Sequence, residues 1–277
     1  MYHNIAVSGG GVSALVFVGC IKKFREHRKT FTFDNFIGSS SGSIVCLFMI
    51  LDYTYDEVRT FLSNNLIDSP VLKVGLWHIP NFFFKYGIDE GKNVIEFIEK
   101  ILEFKGFDKN TSFIDMTKKT GKNLIVAATN LTCKKLEYLS VDNYPEMMIK
   151  TAIRMSTSIP ILYQPVKYYD EYFVDSLIYN NFPIDVFSKM NNETIGLNVV
   201  MKPKNITNIL SFVGTIIHCM INNITVVFNS EQKNVCNITL DEVFVNFNIQ
   251  KFKFEVTESL IDKYCNIGYV SLSNFLQ

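Results

Sequence analysis

The chain is poor in the residues that build metal or redox centres. Its six cysteines (Cys20, Cys46, Cys133, Cys219, Cys236, Cys265) form no Cys-x-x-Cys pair and its four histidines no His-Glu-x-x-His. Neither common zinc spacing is present, and no metal is expected. Scattered thiols of this kind suit a reducing, intracellular setting. Cys20, Cys46 and Cys219 lie inside apolar helical runs and are expected to be small core residues. No long run of one charge sign occurs. With 27 basic residues against 27 acidic ones, the chain lacks the positive footprint of a nucleic-acid binder. Uninterrupted apolar stretches of the ~20 residues that a bilayer span needs are missing too. The longest candidate, Ile206 to Phe228, is broken by His218, Asn222 and Asn223. The first apolar stretch stops at three glycines, which does not fit a signal peptide. The chain is therefore expected to be cytoplasmic, and triplets such as Asn130-Leu131-Thr132 to carry no glycan.

What is present is a large apolar fraction, 48% of 277 residues, enough for a sizeable core. Repeats, low-complexity segments and linkers are absent, so residues 1–277 are expected to form a single domain. Short apolar runs and amphipathic segments alternate. Strands are expected at Asn4–Ser8, Asp34–Ser39, Asn123–Thr129, within Val166–Val174, at Thr194–Met201 and at Val243–Phe247. Helices are expected at Ser13–Arg28, Ser41–Leu51, Tyr55–Asn64, Gly91–Phe104, Tyr144–Met155, Ile206–Phe228 and Glu258–Phe275. Such alternation means a layered α/β protein with a central, mostly parallel sheet flanked by helices. Asn123–Thr129, almost continuously apolar, reads as a central parallel strand.

Two glycine-rich turns fall at strand ends, where α/β folds place their sites. In Gly38-Ser39-Ser40-Ser41-Gly42, a strand turns sharply into an apolar helix. Gly38 and Gly42 let the backbone bend so that the Ser40 side chain stands clear as a nucleophile. A serine hydroxyl also needs a group to take its proton and donors for the oxyanion that it creates. Gly9-Gly10-Gly11, between a strand and a helix, offers bare amides for that second purpose. A phosphate loop is excluded because no Gly-Lys-Ser/Thr follows, and a dinucleotide fingerprint because Ala14 stands where its last glycine belongs.

Five segments, taken in order, resemble the patatin-like phospholipase family. They are Ser8–Gly11, Gly38–Gly42, Ala128–Leu131, the helix end Ala152-Ile153-Arg154-Met155-Ser156-Thr157-Ser158-Ile159-Pro160, and Phe173-Val174-Asp175 with Asn181 and Pro183 beyond. They cover about residues 4–185, and about 186–277 would complete the same domain. The resemblance implies a three-layer patatin-like fold and a Ser-Asp dyad without a catalytic histidine. Ser40 would be the nucleophile, Asp175 the general base, and the amides of Gly9, Gly10 and Gly11 the oxyanion hole. It also implies a lipid ester substrate, such as a phospholipid, and no cofactor or calcium. Two positions depart from the family. Ser176 and Leu177 replace its small residues after the aspartate and would narrow the site or shift the carboxylate if a positive φ were required there. Ser13 and Ala14 replace a basic residue and a glycine.

Alternatives remain open on the residues alone. Ser40, Asp175 and His218 stand in the usual order of a hydrolase triad, although His218 sits mid-run and reads as a packed helix residue. The same dyad could pass the acyl group to another acceptor, as an acyltransferase, or the fold could serve as a catalytically weak lipid-binding scaffold. Val71 to Tyr86, with Trp77, Phe82, Phe83, Phe84 and Tyr86, reads either as the core of a small cap or as an aromatic surface for peripheral contact with a membrane.

Overall fold

A computed structural model of the chain describes residues 1–27, 29–67, 84–202, 206, 212, 215–216, 219, 234–240, 246–248 and 253–277. Most of the helix expected over Ile206 to Phe228 and most of Val71 to Tyr86 lie outside them, including His218, Trp77, Phe82 and Phe83.

In chain order the strands are β1 (Tyr2–Val7), β2 (Phe31–Ser39), β3 (Gly87–Asp89), β4 (Asn123–Asn130), β5 (Lys135–Leu139), β6 (Ile161–Tyr163), β7 (Val166–Tyr168), β8 (Glu171–Asp175), β9 (Thr194–Met201), β10 (Val235–Leu240), β11 (Asn246–Asn248) and β12 (Lys253–Glu255). The α-helices are α1 (Leu15–Glu26), α2 (Ser41–Ile50), α3 (Tyr55–Leu66), α4 (Lys92–Phe104), α5 (Phe113–Thr120), α6 (Ile149–Ser156) and α7 (Glu258–Phe275). Eight strands form the main sheet in the order β10-β9-β1-β2-β4-β8-β7, with β5 also on β4. All neighbours from β10 to β4 are parallel, whereas β5, β8 and β7 add antiparallel pairs. The result is a mixed α/β fold with a mostly parallel central sheet flanked by helices.

Strand alternation sends successive side chains to opposite faces. Ile5, Val7 and Phe36 enter the large core that α1, α2 and α7 help to build. Ala6 and Ile37 meet Phe182, Ile184 and Phe187 on the other side, where Ile184–Glu193 forms 3-10 turns. Register is pinned by asparagines side by side on three strands: Asn35 Nδ2 donates to Asn4 Oδ1 (2.9 Å), and Asn123 Nδ2 to Asn35 Oδ1 (3.0 Å).

β4 differs from the expectation of a purely parallel strand, and the difference builds the site. Along one edge it pairs with β2 at Asn123–Ala127, then with β8 at Ala128–Asn130, while β5 takes the opposite edge. β2 runs parallel to β4 and β8 antiparallel, so their carboxyl ends meet head to head. Ser39 lies opposite Ala127 and Asp175 opposite Ala128.

The helix expected from Tyr144 begins only at Ile149. Pro145 disfavours helix at the residue before it, and the carbonyls of Pro145 and Met147 accept from Ile114 and Phe113 instead. Cys20 and Cys46 are buried as expected, but Cys219 is exposed. Phe212 and Ile216, at helical spacing from it, are exposed as well. Among the described residues no helix is long and apolar enough to cross a membrane.

Candidate active site

Ser40 occupies the turn between β2 and α2 at φ 50°, ψ −129°. A non-glycine residue there is strained, so the strain of the elbow is carried by the serine itself. Gly38 and Gly42 serve another purpose than conformational freedom, since neither has a positive φ. A Cβ on Gly38 would overlap the Ser43 amide, and one on Gly42 the carbonyl oxygens of Val7 and Ser8. Both glycines permit close backbone approach.

The elbow is braced from several sides. The Ser40 N–H donates to Ser156 Oγ at the end of α6 (2.8 Å), and the Ser40 carbonyl accepts from the Ser43 N–H (3.0 Å) and hydroxyl. Ser39 Oγ and Ser176 Oγ share a hydrogen bond of 2.6 Å.

Ser40 Oγ donates to Asp175 Oδ2 at 2.6 Å. The other carboxyl oxygen, Oδ1, accepts from the Leu177 N–H at 2.9 Å. The Asp175 N–H donates to the Ser158 carbonyl (3.0 Å), so the Ser156–Ser158 segment holds both residues of the pair. Asp175 is fully buried and Ser40 is 5% exposed. Burial pushes the Asp175 carboxyl up to about 7, while the bonds from Ser40 and Leu177 pull it down. Ser176 and Leu177 enter a 3-10 turn and neither has a positive φ. Their side chains cause no backbone conflict, and the Leu177 amide orients the carboxylate.

The glycine loop lies beside this pair: a Cβ on Gly9 would come within 3.0 Å of the Ser40 Cβ. Its three amides are not equivalent. The Gly9 N–H donates to the Asn181 carbonyl (3.0 Å), so, contrary to expectation, it is not free to bind an oxyanion. The Gly10 N–H donates to Ser41 Oγ (3.2 Å), a hydroxyl that can rotate away. Gly11 is exposed at φ 55°. Asn181 Nδ2 donates to the Gly9 carbonyl at 3.1 Å. Ser13 and Ala14 are buried, at 1% and 5% exposure.

Three groups that hold the site were not singled out for that role in the sequence. Ser156 lies within the Ala-x-Arg-x-Ser segment and Asn181 just before Pro183, so their local signals were present. Leu177 contributes only a backbone amide and had none. Among the described residues no histidine touches the pair. His3 bonds to Asp34, five residues before Ser39 on β2. No group of three or more potential metal ligands occurs among the described residues.

A family model, the patatin-like phospholipase, matches residues 5–188. A "Probable lipid hydrolase 463L" of Invertebrate iridescent virus 6 is 30% identical over 194 residues, which cover 69% of this chain and 65% of that protein. A protein of Acanthamoeba polyphaga mimivirus is 29% identical over 203 residues, 70% of this chain and 64% of its own length. This chain thus spans less than two thirds of both viral relatives. YqhO of Bacillus subtilis is 28% identical over 245 residues, 79% of this chain and 80% of YqhO. In fold the chain resembles VipD from Legionella pneumophila, with a TM-score of 0.62 at 17% identity, over 99% of this chain and 66% of that one. The family match takes in the glycine loop, the elbow and the strand that carries Asp175, about two thirds of the sequence, and the chain belongs to the patatin-like phospholipase family.

Proposed function

We propose that the protein is a lipid acyl hydrolase that acts on carboxylic esters of lipids through a Ser40-Asp175 dyad and an acyl-enzyme. The observation that carries this reading is the 2.6 Å hydrogen bond from Ser40 Oγ to a buried carboxylate whose second oxygen is already engaged. The free oxygen of Asp175 takes the Ser40 proton as Oγ attacks the ester carbonyl. A carboxyl raised to about 7 by burial is a stronger base than an exposed aspartate and is matched to work near neutral pH. The tetrahedral oxyanion is held by the amides of Gly10 and Gly11, the first after the Ser41 hydroxyl turns aside. Asp175 then returns the proton to the leaving alkoxide. A water, deprotonated by the same carboxylate, attacks the acyl carbon, and as the bond to Ser40 Oγ breaks Asp175 gives that proton back to Oγ, releasing the fatty acid.

Lipid esters are apolar, and the chain exposes aromatics of its own. Phe84 and Tyr86, at the described end of the aromatic segment, are 82% and 67% exposed, which supports peripheral contact with a lipid surface. The dyad, loop and sheet act as one catalytic domain, and the chemistry calls for no cofactor.

A fluorophosphonate probe with a soluble short-chain ester tests this reading. Wild type should be labelled and hydrolyse the ester, while Ser40→Ala should lose both and remain folded. Labelling of Ser40→Ala at the wild-type rate would refute the assignment. Product analysis with an added alcohol acceptor separates hydrolysis from acyl transfer.

A further inference from the structure

We infer that Asn181 is a positioning residue that aims the oxyanion donor, acting through the peptide between Gly9 and Gly10. The inference rests on the hydrolase reading above for its kinetic consequence, but its geometry stands by itself. Asn181 grips Gly9 twice. Its backbone carbonyl accepts from the Gly9 N–H (3.0 Å), and its side-chain Nδ2 donates to the Gly9 carbonyl (3.1 Å). These two groups belong to successive peptide planes, so the pair of bonds fixes the rotation of the chain on both sides of the Gly9 Cα.

The consequence follows from peptide planarity. The carbonyl of Gly9 and the N–H of Gly10 share one trans peptide and point in opposite directions. Drawing the carbonyl toward Asn181 turns the Gly10 N–H the other way, toward the start of α2, where it now meets Ser41 Oγ at 3.2 Å. Two glycines in succession give this peptide little intrinsic preference for either orientation, so an external bond has to select one. Asn181 is well placed to do so. It is 1% exposed, and its Oδ1 is 3.5 Å from Ser39 Oγ, which turns Nδ2 toward Gly9. A Cβ on Gly9 would overlap Asn181 Oδ1, so the loop and the amide are in direct contact. The same side chain thus joins the loop that would receive negative charge to the residue preceding the nucleophile.

The test compares wild type with Asn181→Ala, which removes only the side-chain bond because the main-chain carbonyl stays, and with Asn181→Asp, which keeps the shape. On a soluble ester, kcat should fall by about 10²-fold in Asn181→Ala, the usual effect of losing one oxyanion donor, while KM changes less than about threefold. A trifluoromethyl ketone, which forms a tetrahedral oxyanion on Ser40, should lose affinity in proportion to kcat/KM. The pH midpoint of the reaction should stay at the wild-type value, because the base is untouched. A loss of packing alone would not weaken the ketone selectively. Crystal structures of both variants supply the decision that does not depend on turnover: the Gly9–Gly10 peptide should turn over in Asn181→Ala. If it keeps its orientation in both variants, or if kcat and ketone affinity remain at wild-type values, the inference is wrong. Should wild type cleave no ester and take no fluorophosphonate, the hydrolase reading fails while the peptide orientation still decides the role of Asn181.

Discussion

Changing the pH perturbs one group at the centre of this site, and the structure sets both the sign and the size of the response. Asp175 is wholly buried, and its carboxyl is raised from an ordinary 3.8 to about 7. As the general base it must be ionised. Activity as kcat/KM should therefore climb about tenfold per pH unit below 7 and level off above it, leaving roughly 1% of the plateau at pH 5. Stability should move the opposite way. Below pH ~4 the carboxyl is protonated in the folded and unfolded chain alike. Between ~4 and ~7 the folded protein retains a proton that the unfolded chain releases, so stability falls as pH rises and the loss is complete above ~7. A rise from 3.8 to about 7, at 1.4 kcal/mol per tenfold, makes that loss roughly 4 kcal/mol. Asp175→Asn keeps an oxygen for the Leu177 amide and never ionises. It should thus be inactive yet more stable than wild type at pH 8, with a Tm higher by about 8 °C, and the difference should close near pH 4. Initial rates on a soluble ester from pH 4.5 to 9 and thermal melts of both proteins at pH 4, 6 and 8 measure the two arms. Equal activity at pH 5 and 8, or an Asp175→Asn protein less stable than wild type at pH 8, would rule out a buried Asp175 base of raised affinity for its proton.

Two further predictions concern the scaffold. Ser156→Ala removes the acceptor of the buried Ser40 N–H, which should cost ~1–3 kcal/mol and slow fluorophosphonate labelling as the strained elbow relaxes; an unchanged Tm with unchanged labelling would count against that role. Gly268→Ala would drive a Cβ into the Val16 carbonyl oxygen at the crossing of α1 and α7, and should lower stability by ~1–3 kcal/mol or more, read by urea denaturation; wild-type stability would mean that the helices separate freely.

Much of this arrangement could be read from the sequence, for identifiable reasons. The glycine loop, the elbow and Asp175 each lie within a few residues of their own structural cause, a strand end or a tight turn, so local pattern suffices. α7 was expected at Glu258–Phe275 and spans those residues, because Thr257 caps it and an amphipathic stripe runs its length. The two-edged role of β4 had no local signal. Nothing in Asn-Leu-Ile-Val-Ala-Ala-Thr-Asn tells which neighbour takes which edge, and the meeting of β2 with β8 depends on that choice. In β10, Cys236, Ile238 and Leu240 are buried between the exposed Asn237 and Thr239, an alternation too short to stand out in the sequence. The clamp on the loop was beyond reach for a different reason: Gly9 and Asn181 are 172 residues apart. A glycine's amide carries no mark of whether it is free or engaged, so the inequality of the three loop amides appears only once the chain is folded.

The loop also depends on residues that follow the family match at 188. Its first residue, Ser8, donates its N–H to the Leu197 carbonyl of β9 (3.0 Å), and its hydroxyl accepts from the Val199 N–H (3.0 Å). The Val199 side chain occupies the space where a Cβ on Gly10 would fall. Asn181 therefore holds the loop from one side while β9 holds it from the other. Beyond the loop, α1 packs against α7 so closely that Gly19 and Gly268 leave no room for a side chain on either helix. Cys20 Sγ reaches the Gly268 carbonyl (3.5 Å) and Cys265 Sγ the Leu15 carbonyl (3.7 Å). An oxyanion donor is effective only if it is held in place before charge develops, and here part of that rigidity comes from a strand and a helix that carry none of the family's reacting residues. A chain cut at 188 would keep Ser40, Asp175 and Asn181 but lose the far wall of the loop, so removing that wall should depress kcat even where the dyad survives.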